Sequence, residues 1–461
     1  VNTTTYRIEK DSMGEVQVPL EALYGAQTQR AVDNFTVSSQ TLPWSFIEAV
    51  LVIKAAAARS NREIGILSPD KAELICHAVD VLLSIQPLEQ FPVSIFQTGS
   101  GTSTNMNVNE VIVGLVRKKG VELSPNDHVN LCQSSNDVIP SALQLSTVWA
   151  TIKSLLPALH SLAAAIRTFG RENSDVIKTG RTHLMDALPI RLQSELEGWA
   201  VQIDECIERI ESALPRLSRL PLGGTAVGSG VNCHPRFPAL AIAHINSTSA
   251  LIFTQTPSFY KGLSNIDTVV EFSGHLKTCA ISINKIANDL RWMNSGPLSG
   301  LAEIRLPALQ PGSSIMPAKV NPVIPEAVCM AAAQVIGNDT TINLTGMGGN
   351  FQLNTMLPLA AATILQSIEL LAGSATILAE KAIKNMVVNR RIFAQALSLN
   401  PILVTSLNPV IGYMKAAEIG KIAQNENRPV LQVALEQTNI PLDELQRLLD
   451  PKNLADGGGD M

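Results

Sequence analysis

The sequence predicts an all-α fold built around an elongated bundle of long helices. Three observations carry that expectation. Apolar residues recur at helical spacing over four long runs, aromatics make up only 4% of a chain that is 46% hydrophobic, and no period-2 run is long enough for a central sheet. A core of Ala, Leu, Ile and Val suits helices packed closely on helices. At 461 residues the chain has room for two or three domains.

The first 135 residues read as short helices mixed with irregular segments. SPDKAEL (68–74) marks a helix start, with Ser68 as N-cap, Pro69 at the first helical position and acidic residues in the first turn. Over 138–169, Leu143, Val148, Trp149, Ile152, Leu156, Leu159, Leu162, Ile166 and Phe169 keep a helical period. At ~1.5 Å per residue that run spans ~48 Å, with a kink expected at Pro157. A cleaner run follows at Leu192, Leu196, Trp199, Ile203, Ile207, Ile210 and Leu214. Residues 269–293 and 357–382 make a third and a fourth, and 326–336 a shorter fifth. Glycine-rich turns lie between them: TGSGT (98–102), GGTAVGSG (223–230), SGPLSG (295–300) and GMGG (346–349). A shorter helical segment is expected after 390, and the tail ADGGGDM should lack fixed structure.

The net charge of −5 argues against a general nucleic-acid binder but leaves room for a small anion held by the local field of its pocket. Six scattered cysteines show neither a CxxC pair nor zinc spacing, so they read as reduced thiols and no metal site is expected. VNTTTYRIEKDSMGEV has no apolar h-region and reads as no signal peptide. The uncharged stretch 340–368 is interrupted by Asn343, Gly346, Gln352 and Pro358, which argues against a membrane span. A soluble, cytoplasmic protein is expected.

The glycines do not build either common phosphate motif. GSSIMPAKVNP (312–322) has Pro317 where a P-loop needs its second glycine and Val320 after Lys319, and Gly99-Ser-Gly101 continues as Thr102-Ser103-Thr104 rather than GxxG. Four polar loops remain: QTGSGTSTNMNVNE (97–110), NDHVNLCQSSND (126–137), KTGRTHLMDALP (178–189) and GSSIMPAKVNP. They are rich in Ser, Thr, Asn and Gly, and two run directly into long helices whose N-termini favour anions. Together they contribute Arg181, His183 and Lys319. This inventory fits a small, multiply charged acid whose carboxylates are held by neutral donors and a few cations.

GSSIMPAKVNP resembles the signature loop of the fumarase/aspartase superfamily, and the other three loops resemble that family's remaining blocks in the same order. The resemblance runs from about residue 6 to 450 and is strongest to the class II, iron-independent fumarases. It implies a three-domain protomer divided at 1–136, 137–389 and 390–461. It further implies a homotetramer with composite sites drawn from three chains, acting on fumarate and malate with no metal or organic cofactor, and no nucleic-acid or membrane partner. By the same resemblance Ser313 is the base and His183 the acid/base at the leaving group, supported by Glu326 and Arg181. Ser100, Gly101, Thr102, Ser134, Ser135, Asn136, Thr182, Ser314, Lys319, Val320 and Asn321 bind substrate. Ser124, Pro125, Asn126 and Asp127 occupy the place of a secondary dicarboxylate site, with Ser124 where many relatives carry histidine.

TGSGT, QSSND and GGTAVG resemble the fumarase branch more than the aspartases, whereas Ala318 stands where fumarases commonly have glycine. The alternatives are an aspartate ammonia-lyase and a non-catalytic relative of the same fold. His128 reads as a loop cap and His234-Pro235 as a helix start; Cys132 and Cys233 read as packed thiols.

Overall fold

The computed structural model describes residues 5–118, 120–248 and 252–457. The N-terminal four residues and the last four of the ADGGGDM tail lie outside the described residues. The fold is all-α: helices carry the core, and among the described residues the strands form five two-stranded pieces with no common sheet. Contacts divide the chain into two compact units. One gathers Val1–Pro157, Glu208–Ala280 and Ala333–Ala372; the other gathers Ala158–Ile207, Ile281–Ala332 and Gly373–Met461.

In the first unit the helix Trp44–Ile64 is the hub, packed against Pro69–Ile85, Ser135–Ala150 and Phe237–Thr248. Val50, Leu51, Ile53, Ala57, Ile75, Leu82, Val108, Ile112, Ile139 and Leu143 are among its buried side chains. These helices are longer than the short ones expected for this region. The reason is burial on every side: 14 of the 21 residues of Trp44–Ile64 are buried, so no polar stripe marks the helical period. Ser68 and Pro69 do start the next helix, although the Ser68 side chain makes no capping bond. The antiparallel hairpin Tyr6–Asp11 with Gly14–Pro19 was not expected from the sequence.

Lys54, on the hub helix, is fully buried. Its ammonium donates to Asn130 Oδ1 at 3.0 Å and Gln133 Oε1 at 2.9 Å. Burial brings Lys54 down to about 7, with Asp137 opposing the shift.

The long runs read from the sequence appear as Leu192–Leu217, Asp267–Met293 and Leu357–Ile377. Leu192, Leu196, Trp199, Ile203, Ile207 and Ile210 are all buried, as the period requires. The expected fifth helix is twice as long, Val323–Gly346. Its polar second half stays helical because it has partners: Asp339 accepts from Ser273 Oγ at 2.8 Å and Lys277 Nζ at 2.6 Å. Ahead of Pro157 the expected kink takes the form of a π turn, Thr151–Leu155, between the helices Ser135–Ala150 and Leu156–Glu172. Proline has no N–H to offer the preceding turn, and a π turn absorbs that defect.

Residues 357–385 are long and apolar enough to cross a bilayer by composition, but 61% of the most apolar window is buried inside the fold. In the second unit the C-terminal helices pack around Leu403, Leu407, Ile419, Val433 and Leu445. The first part of the tail is more ordered than expected, since Asp456 pairs with Arg191 and the helix Pro451–Ala455 precedes it.

Two predictions follow from this packing. Gly114→Ala would ordinarily favour a helix by about 1 kcal/mol, but a Cβ there falls 2.0 Å from the Leu23 carbonyl oxygen. The thermal midpoint is therefore expected to drop; an unchanged or raised midpoint would refute the contact. Unfolding returns Lys54 to the ordinary lysine range near 10.5, so the unfolded chain binds the extra proton between about 7 and 10.5. Folded stability gains from this group as pH rises through that window, and the gain is lost as pH falls to about 7. In Lys54→Met the term vanishes, so the variant should lose thermal midpoint relative to the parent as pH climbs from 7. A pH-independent difference would show that burial does not neutralise the amine.

Candidate active site

Two of the four polar loops lie in the first unit. TGSGT ends at Gly101, whose left-handed φ of 72° makes it the N-cap of Thr102–Arg117. Gly99 is there for space: a Cβ would sit 1.7 Å from the Thr355 carbonyl oxygen. Ser100 and Thr102 share a hydroxyl hydrogen bond of 2.9 Å.

The second loop runs into Ser135–Ala150 through a reciprocal cap. Ser134 Oγ accepts from the Asn136 N–H at 3.2 Å, and Asp137 Oδ1 accepts from the Ser134 N–H at 2.9 Å. The other oxygen of Asp137 accepts from the backbone N–H groups of Gly223 at 3.0 Å and Thr225 at 2.9 Å. Asn136 Nδ2 donates to the Ala226 carbonyl at 2.8 Å, and Asn105 Nδ2 donates to Ser135 Oγ at 3.1 Å. Ser100, Gly101, Thr102, Ser134, Ser135 and Asn136 thus belong to two helix N-termini joined by Asn105. Their unmet backbone N–H groups and hydroxyls can receive a carboxylate without a formal positive charge. Burial pushes the Asp137 carboxyl up to about 6, against the backbone N–H bonds and Lys54, which lower it.

Ser124, Pro125, Asn126 and Asp127 form one closed turn that opens a short π segment, Pro125–Val129. Ser124 Oγ accepts from the Asp127 N–H at 3.0 Å and donates to its carboxylate at 2.8 Å. His128 Nδ1 accepts from the Ser124 N–H at 2.9 Å, so His128 caps the loop.

The other two loops lie in the second unit. KTGRTHLMDALP, read from sequence as an irregular loop, is a hairpin pairing Ile177–Thr182 with Met185–Arg191. Its two-residue tip is His183 at φ 57° and Leu184 at φ 62°. Two consecutive left-handed residues make the type I′ turn that usually carries Asn-Gly, and this is why the residue pair gave no hairpin signal. Thr182 and His183 are exposed at the tip. At the base, buried Lys178 reaches Glu195 at 2.8 Å and Glu303 at 3.3 Å, and Glu303 also pairs with Arg181. Arg181 therefore anchors the hairpin and points its charge at Glu303.

The signature loop is closed on itself. Gly312 N–H donates to the Lys319 carbonyl at 2.8 Å, and Asn321 Nδ2 donates to the Gly312 carbonyl at 2.7 Å. Ala318 makes the turn with φ 69°. Ser313 Oγ accepts from the backbone N–H groups of Ile315 at 3.2 Å and Met316 at 3.0 Å. Ser314, Lys319 and Val320 are exposed beside it. Among the described residues no hydrogen bond joins His183 to Glu326 within the protomer, and no group of three or more His, Cys, Asp or Glu side chains could hold a metal ion.

Sequence reasoning missed Asn105, Asp137, Lys54 and Glu303. Asn105 and Asp137 lie inside the quoted polar loops, and the SSND spacing is a capping-box signal that could have found Asp137. Lys54 and Glu303 sit in ordinary surroundings and carry no local signal.

The chain is similar to known proteins over nearly all of its length. A family model described as lyase matches residues 14–337, and one described as fumarase C C-terminus matches 403–456. Fumarate hydratase class II 2 of Pseudomonas aeruginosa is 53% identical over 456 residues, covering 99% of this chain and 100% of that one. A fumarate hydratase class II of Xylella fastidiosa (strain Temecula1) is 52% identical, covering 99% and 97%; that of Mycobacterium tuberculosis (strain H37Rv) is 45% identical, covering 98% and 97%. Among solved structures, the class II fumarase from Schistosoma mansoni superposes with a TM-score of 0.93 at 35% identity, covering 98% of this chain and 99% of that one. The native form of a fumarate lyase/delta-crystallin protein from Brucella melitensis gives 0.87 at 40% identity, covering 94% and 100%. With the lyase model matching more than half its length and full-length relatives well above 40% identity, the chain belongs to the lyase family that includes the class II fumarate hydratases.

Proposed function

We propose that this chain is a fumarate hydratase, interconverting fumarate and (S)-malate. One observation carries the chemistry within the protomer: Ser313 Oγ receives two backbone N–H bonds inside a closed loop that also presents Lys319 and Asn321. A serine alcohol ionises about as reluctantly as water, whose pKa is about 15.7. Hydrogen bonds to the charged form lower that cost, and a lysine at ~4 Å in an effective dielectric of ~20 adds about 4 kcal/mol, roughly three pKa units. The alkoxide takes the proton beside a malate carboxylate, and the resulting doubly negative aci-carboxylate is met by Lys319, Asn321 and loop amides. Each well-placed donor contributes roughly 10²–10³ in rate. Hydroxide then departs from the neighbouring carbon, protonated by His183 directly or through a water, and leaves as water. Ser100, Gly101, Thr102, Ser134, Ser135, Asn136, Thr182, Ser314 and Val320 hold the two carboxylates.

The resemblance of the four polar loops to the family's blocks supports a homotetramer with composite sites, in which Glu326 orients His183. The reading includes a three-domain division at 1–136, 137–389 and 390–461, a cytoplasmic place in the tricarboxylic acid cycle, independence of metal, and a secondary dicarboxylate site at Ser124, Pro125, Asn126 and Asp127.

Following fumarate absorbance with purified protein tests the substrate: product from malate is expected, and product from aspartate alone would replace this reading with an ammonia-lyase. Ser313→Ala should assemble normally and lose about 10²–10⁴ in turnover, the usual contribution of a positioned base. Near-parental activity would move the proton to another residue.

A further inference from the structure

The first unit also holds a cavity of about 430 Å³ whose walls include no residue of the four polar loops. It opens where Trp44–Ile64, Pro69–Ile85 and the end of Ser135–Ala150 come together. Glu48, Val52, Ala55, Ala56 and Arg59 fall at i, i+4, i+7, i+8 and i+11, so one stripe of the hub helix forms a wall. That stripe is about 16 Å from end to end. Val79 and Leu83 of the next helix and buried Trp149 of the third complete an apolar floor. The size is that of a small-molecule pocket.

Four charged side chains rim this floor, and they are not equally satisfied. At the Glu48 end, Lys153 Nζ lies 3.8 Å from Glu48 Oε1 and 4.9 Å from the centre of the Trp149 ring. That end is neutralised within the protein. Arg59 is half-buried at the opposite end, and Asp80 is exposed on the neighbouring helix. Among the described residues Arg59 meets no carboxylate, and Asp80 no cation, within ion-pair distance. The two are close in level. Cys76 Sγ lies 3.7 Å from the Ala55 carbonyl oxygen, which sets the two helices side by side at that height. Arg59 is one turn beyond Ala55, and Asp80 is one turn beyond Cys76. The short connection 65–68 makes the helices antiparallel, so these residues flank that height from opposite sides. Helical side chains lean toward their own N-terminus, and both therefore lean back to it.

We propose that this cavity is a binding site for an α-amino acid with a large apolar side chain, its carboxylate on Arg59, its ammonium on Asp80 and its side chain over Val52, Ala56, Leu83 and Trp149. The charge pattern selects this class. A plain anion drawn to Arg59 would also face Asp80 and Glu48, and a plain cation drawn to Asp80 would face Arg59 and Lys153. A zwitterion meets both unpaired groups and adds no net charge. The guanidinium offers a carboxylate two parallel N–H bonds. The apolar floor takes the side chain out of water, and an aromatic one pairs edge-on or offset with Trp149. The inference rests on no part of the reaction proposed above.

Isothermal titration of the purified protein with L-phenylalanine is the test. Saturable binding is expected, with a Kd at or below ~1 mM. 3-Phenylpropionate lacks the ammonium and phenethylamine lacks the carboxylate. Each should bind about 10- to 100-fold more weakly, the loss that follows removal of one charge-assisted hydrogen-bonding group. Arg59→Gln and Asp80→Asn lie on the cavity surface rather than in the core, so both should keep the parental thermal midpoint. Each should weaken L-phenylalanine by the same factor. Absence of saturable heat overturns the site. Equal affinity for 3-phenylpropionate or phenethylamine overturns the amino-acid class, and this comparison holds on the parent protein even if a variant fails to fold. Binding that ignores both substitutions in folded variants puts the ligand elsewhere and overturns the assignment.

Discussion

One buried carboxylate organises the first unit's half of the candidate site. Asp137 closes the cap of Ser135–Ala150 with one oxygen and holds the Gly223–Thr225 backbone with the other. A neutral side chain of the same shape could accept at one of those places but not donate its way into the rest, since every partner is an N–H. The position thus demands an acceptor-only group, and burial makes that demand expensive. Lys54 supports the same loop from behind through Asn130 and Gln133. Burial brings the lysine down to about 7 and the carboxyl up to about 6, so the loop takes its fixed shape from buried hydrogen bonds rather than from an exposed cation.

The second unit uses a different solution to the same problem. The His183 hairpin and the signature loop are both small closed structures held by local backbone bonds, with their polar groups turned outward. Glu303 serves Lys178 and Arg181 together, so the hairpin's cations are paired at its base, while Thr182 and His183 are exposed at its tip. Two scaffolds, one of helix ends and one of tight turns, present oriented backbone N–H groups and hydroxyls, joined in the signature loop by the exposed Lys319. That suits a reaction in which charge grows on the substrate, because dipoles already oriented need not reorganise.

How much of this was legible depends on what each feature asks of its neighbours in sequence. The 192–217 helix could be read residue by residue because its stripe has a polar reverse face. Trp44–Ile64 could not, since a helix buried all round has no face to alternate with. The hairpin at 177–191 escaped because its turn is His-Leu, and the chain accepts two left-handed residues there without the glycine that would have announced them. The four polar loops were recognisable from composition and order. Yet the hydrogen bonds that give them shape come from Asn105, Asp137 and Glu303, residues that local pattern does not single out. Local pattern names the groups that touch a ligand more readily than those that hold them still.

Ala318 gives the signature loop a built-in lean. Its φ of 69° is a region where an L-residue's Cβ meets backbone oxygen, at about 1–2 kcal/mol more than glycine would spend. Since about 1.4 kcal/mol is a tenfold ratio, that single methyl weights the loop away from the observed geometry by roughly an order of magnitude relative to a glycine-bearing version. A glycine at 318 would remove that cost without altering any side chain the loop presents, so the alanine gives up ease of turning for a narrower set of backbone conformations before folding.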